Sequence, residues 1–291
     1  MTLACLRSVV AQTSVPYELI VLDNASSDGS AEAIAAQFPQ VTLLAERENH
    51  GFAMGNNIAA RSARGAFVLL LNPDTVILDH AVDKLLSFAH RTPEARIWGG
   101  RTVFGDHSLN PASCWRRMSL WNIFCRTSGL TGVFPNSPIF HSEAYGGWDR
   151  GTERHVDIVT GCFFLMRRSD WEEMSGFDPA LFMYGEEADL CLRAERILHA
   201  APRVTPDATI IHYGGASEKV RADKMVRLLR AKAELIRRHI PAWQRPLALA
   251  LFRLWPLSRW VALKLLRKRG ESMQVWQQVW TRRGEWENGY T

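Results

Sequence analysis

Three short apolar runs, each closed by a polar cluster and followed by a helix-like stretch, set the strongest limit on what this chain can become. Residues 17–23 read YELIVLD, a strand ending on Asp23, and NASSDGSAEAIAAQF follows as a Ser- and Asp-rich turn that caps an alanine-rich helix. VTLLAE (41–46) reads as the next strand. ENHGFAMGNNIAARSARG is then a Gly- and Asn-marked turn running into a helix that Gly65 ends, and AFVLLLN (66–72) is a continuous apolar strand of the buried type. LDHAVDKLLSFAHRTP is an amphipathic helix stopped at Pro93. This order predicts an α/β fold with an open, mostly parallel sheet flanked by helices, whose ligands gather at the carboxyl ends of the strands.

Beyond residue 100 the pattern loosens. Residues 101–155 are rich in Gly, Pro, Ser and aromatics and read as a long substrate-side excursion without a predicted element. A strand and helix resume over 157–174, a turn, apolar loop and acidic helix start occupy 175–196, and ATIIHYGG (208–215) is a last strand ending on His212. With 291 residues and 47% hydrophobic side chains, one large domain with an appendage fits better than two equal domains. The five cysteines form no CxxC pair, so neither a disulfide framework nor a zinc knuckle is indicated and a reducing cytosol is the default. No basic-then-apolar leader opens the sequence, which argues against a secreted product.

The net charge of +5 is unevenly spread. From Arg237 to Gly270 there are nine Arg or Lys and no Asp or Glu, and six of the eleven tryptophans lie beyond residue 240. The apolar stretch LALALFRLWPLSRWVALKLL is interrupted by Arg253, Pro256, Arg259 and Lys264, so a spanning helix is not expected. An interfacial helix pair, with Leu and Trp in the headgroup boundary and cations toward anionic lipid, fits the composition. A helical hairpin with a solvated basic face is the plainer alternative. No recognised nucleic-acid-binding motif accompanies the basic residues, and no nucleic acid is expected as a partner.

Carboxylates stand at three element ends: Asp23, Asp74, and Glu186 with Glu187 and Asp189 at a helix start. Each has an ordinary explanation as a helix cap or first-turn acid. Together at one crevice they would repel unless a cation or ligand compensates them, and a hard divalent cation that also takes phosphate oxygens suits that role. In VLLLNPDTVI (68–77), Pro73 fixes its own φ and biases Asn72 toward extended backbone, which would hold Asp74 at the strand tip.

The ordered set ELIVLDNASSDGS, ENHGFAMGNNIAARSARGAFVLLLNPDTVI, VTGCFFLMRRSDWEEMSGFDPALFMYGEEADLCLRA and IIHYGGAS resembles a family 2 glycosyltransferase of the GT-A fold, in the branch of bacterial rhamnosyltransferases of cell-wall and O-antigen assembly. The resemblance covers roughly residues 1–217 as a GT-A domain and leaves 218–291 as a helical, basic, Trp-rich, membrane-associating tail. It implies that Asp23 and Asn24 contact the base and ribose of a nucleoside-diphosphate sugar, with Gly51 and Asn57 in the next nucleotide-side turn. It implies that Asp74 is the last acid of the family's DxD motif, that Mg²⁺ or Mn²⁺ rests on Asp74 and the diphosphate, and that His212 completes the metal shell. Asn72 stands where many relatives carry the first acid. GEEADLC matches the ED motif, whose second acid is the general base. That position is Glu187, with Glu186 the alternative and Asp189 a capping or orienting acid.

The implied reaction is an inverting transfer to a hydroxyl of a glycan or lipid-linked acceptor, at the inner face of the cytoplasmic membrane. Relatives open with a strand about ten residues before a helix resembling LACLRSVVAQ, and this sequence starts within that helix. The expectation is therefore a sheet with an unpaired edge beside the nucleotide site. Two other classes stay open at this point: an inactive homologue that binds membrane or a partner enzyme, and a metal-dependent nucleotidyltransferase.

Overall fold

The computed structural model describes residues 1–214, 222–266 and 270–290. In chain order the strands are β1 (Ile20–Asn24), β2 (Thr42–Glu46), β3 (Phe67–Leu71), β4 (Thr75–Ile77), β5 (Ile97–Val103), β6 (Cys114–Trp115), β7 (Arg154–His155), β8 (Ile158–Val159), β9 (Phe163–Arg167) and β10 (Arg203–His212). The helices are α1 (Thr2–Gln12), α2 (Ser30–Gln37), α3 (Gly51–Arg61), α4 (Ala81–Arg91), α5 (Leu120–Ser128), α6 (Leu130–Val133), α7 (Arg168–Glu173), α8 (Glu186–Leu198), α9 (Ala222–His239), α10 (Arg245–Leu265) and α11 (Glu271–Thr281).

The chain divides into two compact units. The first comprises 1–114, 150–182 and 186–214, and the second 115–149, 183–185 and 215–291. The expected boundary at 217/218 lies outside the described residues, and the helices beyond it share their unit with 115–149, the stretch for which the sequence predicted no element.

In the first unit a mixed sheet runs β3-β9-β5-β10-β4, with β7 added to β10, while β1 and β2 pair as a separate parallel ribbon. The βαβ reading predicted mostly parallel pairing. In the main sheet of the described residues only β5–β10 pairs parallel, because β9 inserts antiparallel between β3 and β5, and β4 turns back antiparallel onto β10. Among the described residues, β1 pairs only with β2 and β3 only with β9, so each keeps one open ladder edge.

The continuous apolar run of β3 is explained by its burial against β9 and α4. Phe88, Leu85, Trp98 and Phe163 are fully buried in that core, with Phe67, Leu69 and Leu71 packed on it. β5 escaped the sequence reading because of its two glycines, and it is central. A Cβ on Gly100 would come within 2.0 Å of the Ala208 carbonyl oxygen, and one on Gly99 within 2.4 Å of a Val159 methyl. Glycine is what lets β5 sit this close to its neighbours.

The second unit has its own core, in which Phe252 and Trp255 of α10 meet Ile123 of α5, Leu229 and Ile236 of α9, Val279 of α11 and Trp286. Glu143 is buried there, with its two oxygens on Lys232 Nζ (2.5 Å) and Arg126 Nη2 (2.6 Å). Pro256 lies within α10, on its buried side.

Candidate active site

All the site residues suggested by the sequence belong to the first unit. β3 ends at Leu71, and the Asn72-Pro73-Asp74 turn is tied inward: Asn72 N–H donates to the Cys162 carbonyl (3.2 Å) and Thr75 Oγ1 donates to the Asn72 carbonyl (2.7 Å). β4 then pairs with β10 so that His212 faces Thr75, and Tyr213 N–H donates to the Asp74 carbonyl at 3.0 Å. This register brings His212 Nε2 to 3.4 Å from Asp74 Oδ1.

The two groups reinforce each other electrostatically. Burial alone would raise the Asp74 carboxyl, but the His212 imidazole and the main-chain N–H groups of Asp74 and Gly214 hold it below its ordinary value. Burial would likewise depress His212. Hydrogen bonding to Asp74 and Cys162 outweighs it and pushes the imidazole up to about 10.

A small divalent cation would fit between these groups in place of the proton that His212 shares with Asp74. Two ligand atoms 3.4 Å apart can occupy neighbouring positions of one ion bound at roughly 2.0–2.2 Å, leaving the remaining positions to phosphate oxygens and water. His212 Nδ1 is buried and makes no hydrogen bond among the described residues. Among the described residues no third His, Cys, Asp or Glu joins the pair. Gly215, Ala216 and Ser217 of the HYGGAS segment lie outside the described residues.

The two acids at the start of α8 differ sharply. Glu186 is buried with Oε2 unpartnered among the described residues, and desolvation, with repulsion from Glu187, pushes its carboxyl up to about 9. Glu187 is half-buried, and its Cβ lies beside Gly161, where an added Cβ would come within 3.9 Å of it and 3.2 Å of the Phe52 ring. Asp189 is committed to a buried ion pair with Arg193 (2.6 Å), whose guanidinium also donates to the carbonyls of Met174 (3.1 Å) and Gly176 (2.9 Å). Asp189 therefore anchors α8 rather than facing a substrate.

On the other ribbon, Asp23 is buried and accepts from Ser26 N–H at 3.1 Å through Oδ2. Asn24 Oδ1 accepts from His50 N–H (2.8 Å), and Nδ2 donates to the Gly51 carbonyl (3.1 Å), so Asn24 builds the turn that opens α3. Gly51 is required there, since φ is +73° and a Cβ would lie 2.4 Å from the Phe182 carbonyl oxygen. Asn57, assigned by the sequence to the nucleotide side, exchanges two hydrogen bonds with the main chain of Phe177. Its amide is thereby occupied by the loop at Phe177.

Sequence reasoning missed the Thr160-Gly161-Cys162 turn. Gly161 borders Glu187, and the Cys162 carbonyl holds Asn72, so adjacent residues of one turn meet both the acid of α8 and the turn that carries Asp74. The only signal was the glycine inside an otherwise apolar strand, which marks close approach by a neighbour.

Comparison with known proteins adds the family. Residues 1–174, more than half of the chain, match the profile described as Glycosyl transferase family 2; Glu186, Glu187 and His212 lie beyond that match. An N-acetylglucosaminyl-diphospho-decaprenol L-rhamnosyltransferase of Mycobacterium tuberculosis is 28% identical over 222 residues, covering 72% of this chain and 70% of the relative. Rhamnosyltransferase WbbL of Escherichia coli is 32% identical over 178 residues, covering 56% of this chain and 61% of the relative. Among solved structures, the mannosyltransferase PcManGT of Pyrobaculum calidifontis, in complex with GDP-Man and Mn²⁺, superposes with a TM-score of 0.58 at 16% identity, covering 99% of this chain and 84% of its own. The fold is GT-A.

Proposed function

Because this chain belongs to glycosyl transferase family 2 and is a rhamnosyltransferase-like glycosyltransferase, we propose that it transfers a sugar, rhamnose in our reading, from a nucleoside diphosphate to a hydroxyl of a lipid-linked or polysaccharide acceptor, with inversion at the anomeric carbon. The observation that carries the proposal is the Thr160–Cys162 turn, which borders Glu187 at Gly161 and, through the Cys162 carbonyl, holds Asn72, two residues before Asp74.

Glu187 is the base. Glu186 keeps its proton near neutral pH and cannot accept another, whereas Glu187 has access to solvent. As the acceptor oxygen bonds to the anomeric carbon, its proton passes to the Glu187 carboxylate. The bond from that carbon to the diphosphate oxygen breaks on the opposite face, and its electron pair leaves with the nucleoside diphosphate. Asp23 and the Asn24-built turn would hold the nucleoside. Asp74 and His212 would hold Mg²⁺ or Mn²⁺, which when bound neutralises charge on the departing diphosphate.

The acceptor is proposed to be lipid-linked, and the protein peripheral at the inner face of the membrane. The Mycobacterium relative is an N-acetylglucosaminyl-diphospho-decaprenol L-rhamnosyltransferase. No helix among the described residues is long and apolar enough to cross a membrane. α10 nevertheless exposes Leu247, Leu254, Val261 and Leu265 at heptad-like spacing, with Trp243 just ahead of it, opposite its buried Ala248, Phe252 and Trp255.

The test uses the full chain with UDP-, dTDP- and GDP-sugars, Mn²⁺ and a polyprenyl-diphosphate sugar acceptor, and follows nucleoside diphosphate release and the anomeric configuration of the product. Asp74→Ala and Glu187→Gln should both fold, and Glu187→Gln should lose about 10²- to 10⁴-fold in rate. Wild-type turnover by Glu187→Gln, or a product of retained configuration, would refute the assignment.

A further inference from the structure

The Asn57–Phe177 pair takes no part in the chemistry above, yet its geometry is specific. Asn57 Nδ2 donates to the Phe177 carbonyl (2.8 Å) and Phe177 N–H donates to Asn57 Oδ1 (2.9 Å), so one side chain mimics a neighbouring strand. Gly176, at φ +67°, makes room for it, since a Cβ there would lie 2.3 Å from Asn57 Oδ1. Five residues after Phe177 a second tie follows, in which Phe52 N–H donates to the Phe182 carbonyl at 3.0 Å. The loop 177–182 is thus fastened at both ends to α3, and Glu186 and Glu187 begin α8 four residues later.

α3 is fastened in turn to the proposed nucleotide strand. Asn24 holds His50 N–H and the Gly51 carbonyl, and Asn49 Oδ1 accepts from both Asn24 Nδ2 (3.1 Å) and Gly51 N–H (2.9 Å). Hydrogen bonds therefore run from Asn24 through the first turn of α3, Phe52 and Asn57 to the loop ahead of the base.

We propose that Asn57 is a positioning residue that couples the donor turn to Glu187 by clamping the 177–182 loop to α3. The inference rests on the glycosyltransferase reading for its kinetic consequence, but the clamp itself is testable without turnover. A base must stand within hydrogen-bond reach of the attacking hydroxyl, and a misplacement of about 1 Å costs on the order of 10²-fold in rate. Asn57 would supply that precision without touching the donor.

The experiment compares the full chain with Asn57→Ala and Asn57→Asp, the latter keeping the acceptor for Phe177 N–H but facing the Phe177 carbonyl with a second acceptor. Nucleoside diphosphate affinity with Mn²⁺ is read by calorimetry, kcat and acceptor KM by product formation, and hydrogen exchange over 177–186 by mass spectrometry. Asn57→Ala should bind nucleotide within about 3-fold of wild type, lose about 30-fold or more in kcat, and exchange 177–186 at least about 10-fold faster, with Asn57→Asp intermediate. A fall in nucleotide affinity as large as the fall in kcat would overturn the proposal and place Asn57 in the donor site. Unchanged exchange over 177–186 would overturn it whether or not the wild type transfers sugar. Should Asn57→Ala not fold, wild-type exchange and kcat in Asn57→Asp would overturn it equally. If the wild type turns over no sugar while exchange still responds to Asn57, the functional reading fails and the clamp stands.

Discussion

Asp189 and Arg193, one helical turn apart on α8, form an ion pair at 2.6 Å in which the carboxylate is almost wholly buried. Because Arg193 also reaches the carbonyls of Met174 and Gly176, the pair fixes the acidic end of α8 to the turn that leads toward it. Removing one member of a buried pair strands the other charge, at a cost of about 3–5 kcal/mol. Asp189→Asn is therefore expected to lower the urea unfolding free energy by that amount. Glu187→Gln should instead leave the unfolding curve near wild type and lose rate. A stable Asp189→Asn with transfer abolished would make Asp189 part of the chemistry after all.

The second unit should report acid through Glu143. Burial alone would raise this carboxyl, but Lys232 and Arg126 hold it at about 2, below the 4.5 of an ordinary glutamate. The folded state therefore binds the proton less readily than the unfolded chain. The resulting stability, roughly 3 kcal/mol, is present above about pH 4.5 and is lost as pH falls toward about 2. Glu143→Gln is expected to remove this dependence and to be destabilised at neutral pH, where two cations lose their partner. Urea midpoints followed by tryptophan fluorescence from pH 7 to pH 3 measure both effects. An equally steep acid limb in Glu143→Gln would assign the dependence to other groups.

What the sequence made legible was local. The apolar run of β3, the polar stop at Asn72-Pro73-Asp74 and the acidic start of α8 each declare themselves within about ten residues, and the structure forms elements there. Relationships between distant residues were not legible. The resemblance placed Asn57 in a nucleotide-side turn, and nothing near it in sequence reveals its hydrogen-bond partner 120 positions away. Residues 115–149 showed no periodic pattern because Ile123 packs on α9 and α10 rather than within a local motif. β5 was hidden because Gly99-Gly100 reads as punctuation, although those glycines let its neighbours approach. The pairing directions of β4 and β9 likewise depend on which strands meet, and alternation of elements does not encode it.

The exposed row on α10 gives the membrane proposal a specific test. Leu254 and Val261 face away from the core that Phe252 and Trp255 enter, so charging them should spare folding. Each large aliphatic side chain buried in an interface contributes about 1.5–3 kcal/mol, so Leu254→Glu with Val261→Glu should weaken vesicle partitioning by at least about 100-fold. Co-sedimentation with vesicles containing anionic lipid measures this, with Ile197→Glu, an exposed apolar site in the first unit, as the control. Unchanged partitioning of the double variant would remove α10 as the contact.

The closeness of β5 to its neighbours should make Gly100 among the least replaceable small residues in the sheet. An added methyl would meet the Ala208 carbonyl oxygen at 2.0 Å and the Phe163 ring at 2.7 Å, and neither obstacle is the free end of a flexible side chain. Phe163 is fully buried beside Trp98, and Ala208 lies at the irregularity where the β5–β10 register shifts between Thr205 and Thr209. Relief would require β5 and β10 to separate, which carries His212 away from Asp74 because β10 delivers that histidine. Gly100→Ala is therefore expected to lose about 3 kcal/mol or more by urea unfolding and to weaken Mn²⁺-dependent binding of nucleoside diphosphate in the fraction that folds. Gly284→Ala, where an added Cβ meets no atom within 4 Å, should stay within about 0.5 kcal/mol of wild type. If Gly100→Ala were as stable as Gly284→Ala, the tight β5–β10 approach would be wrong, and the support it gives His212 would go with it.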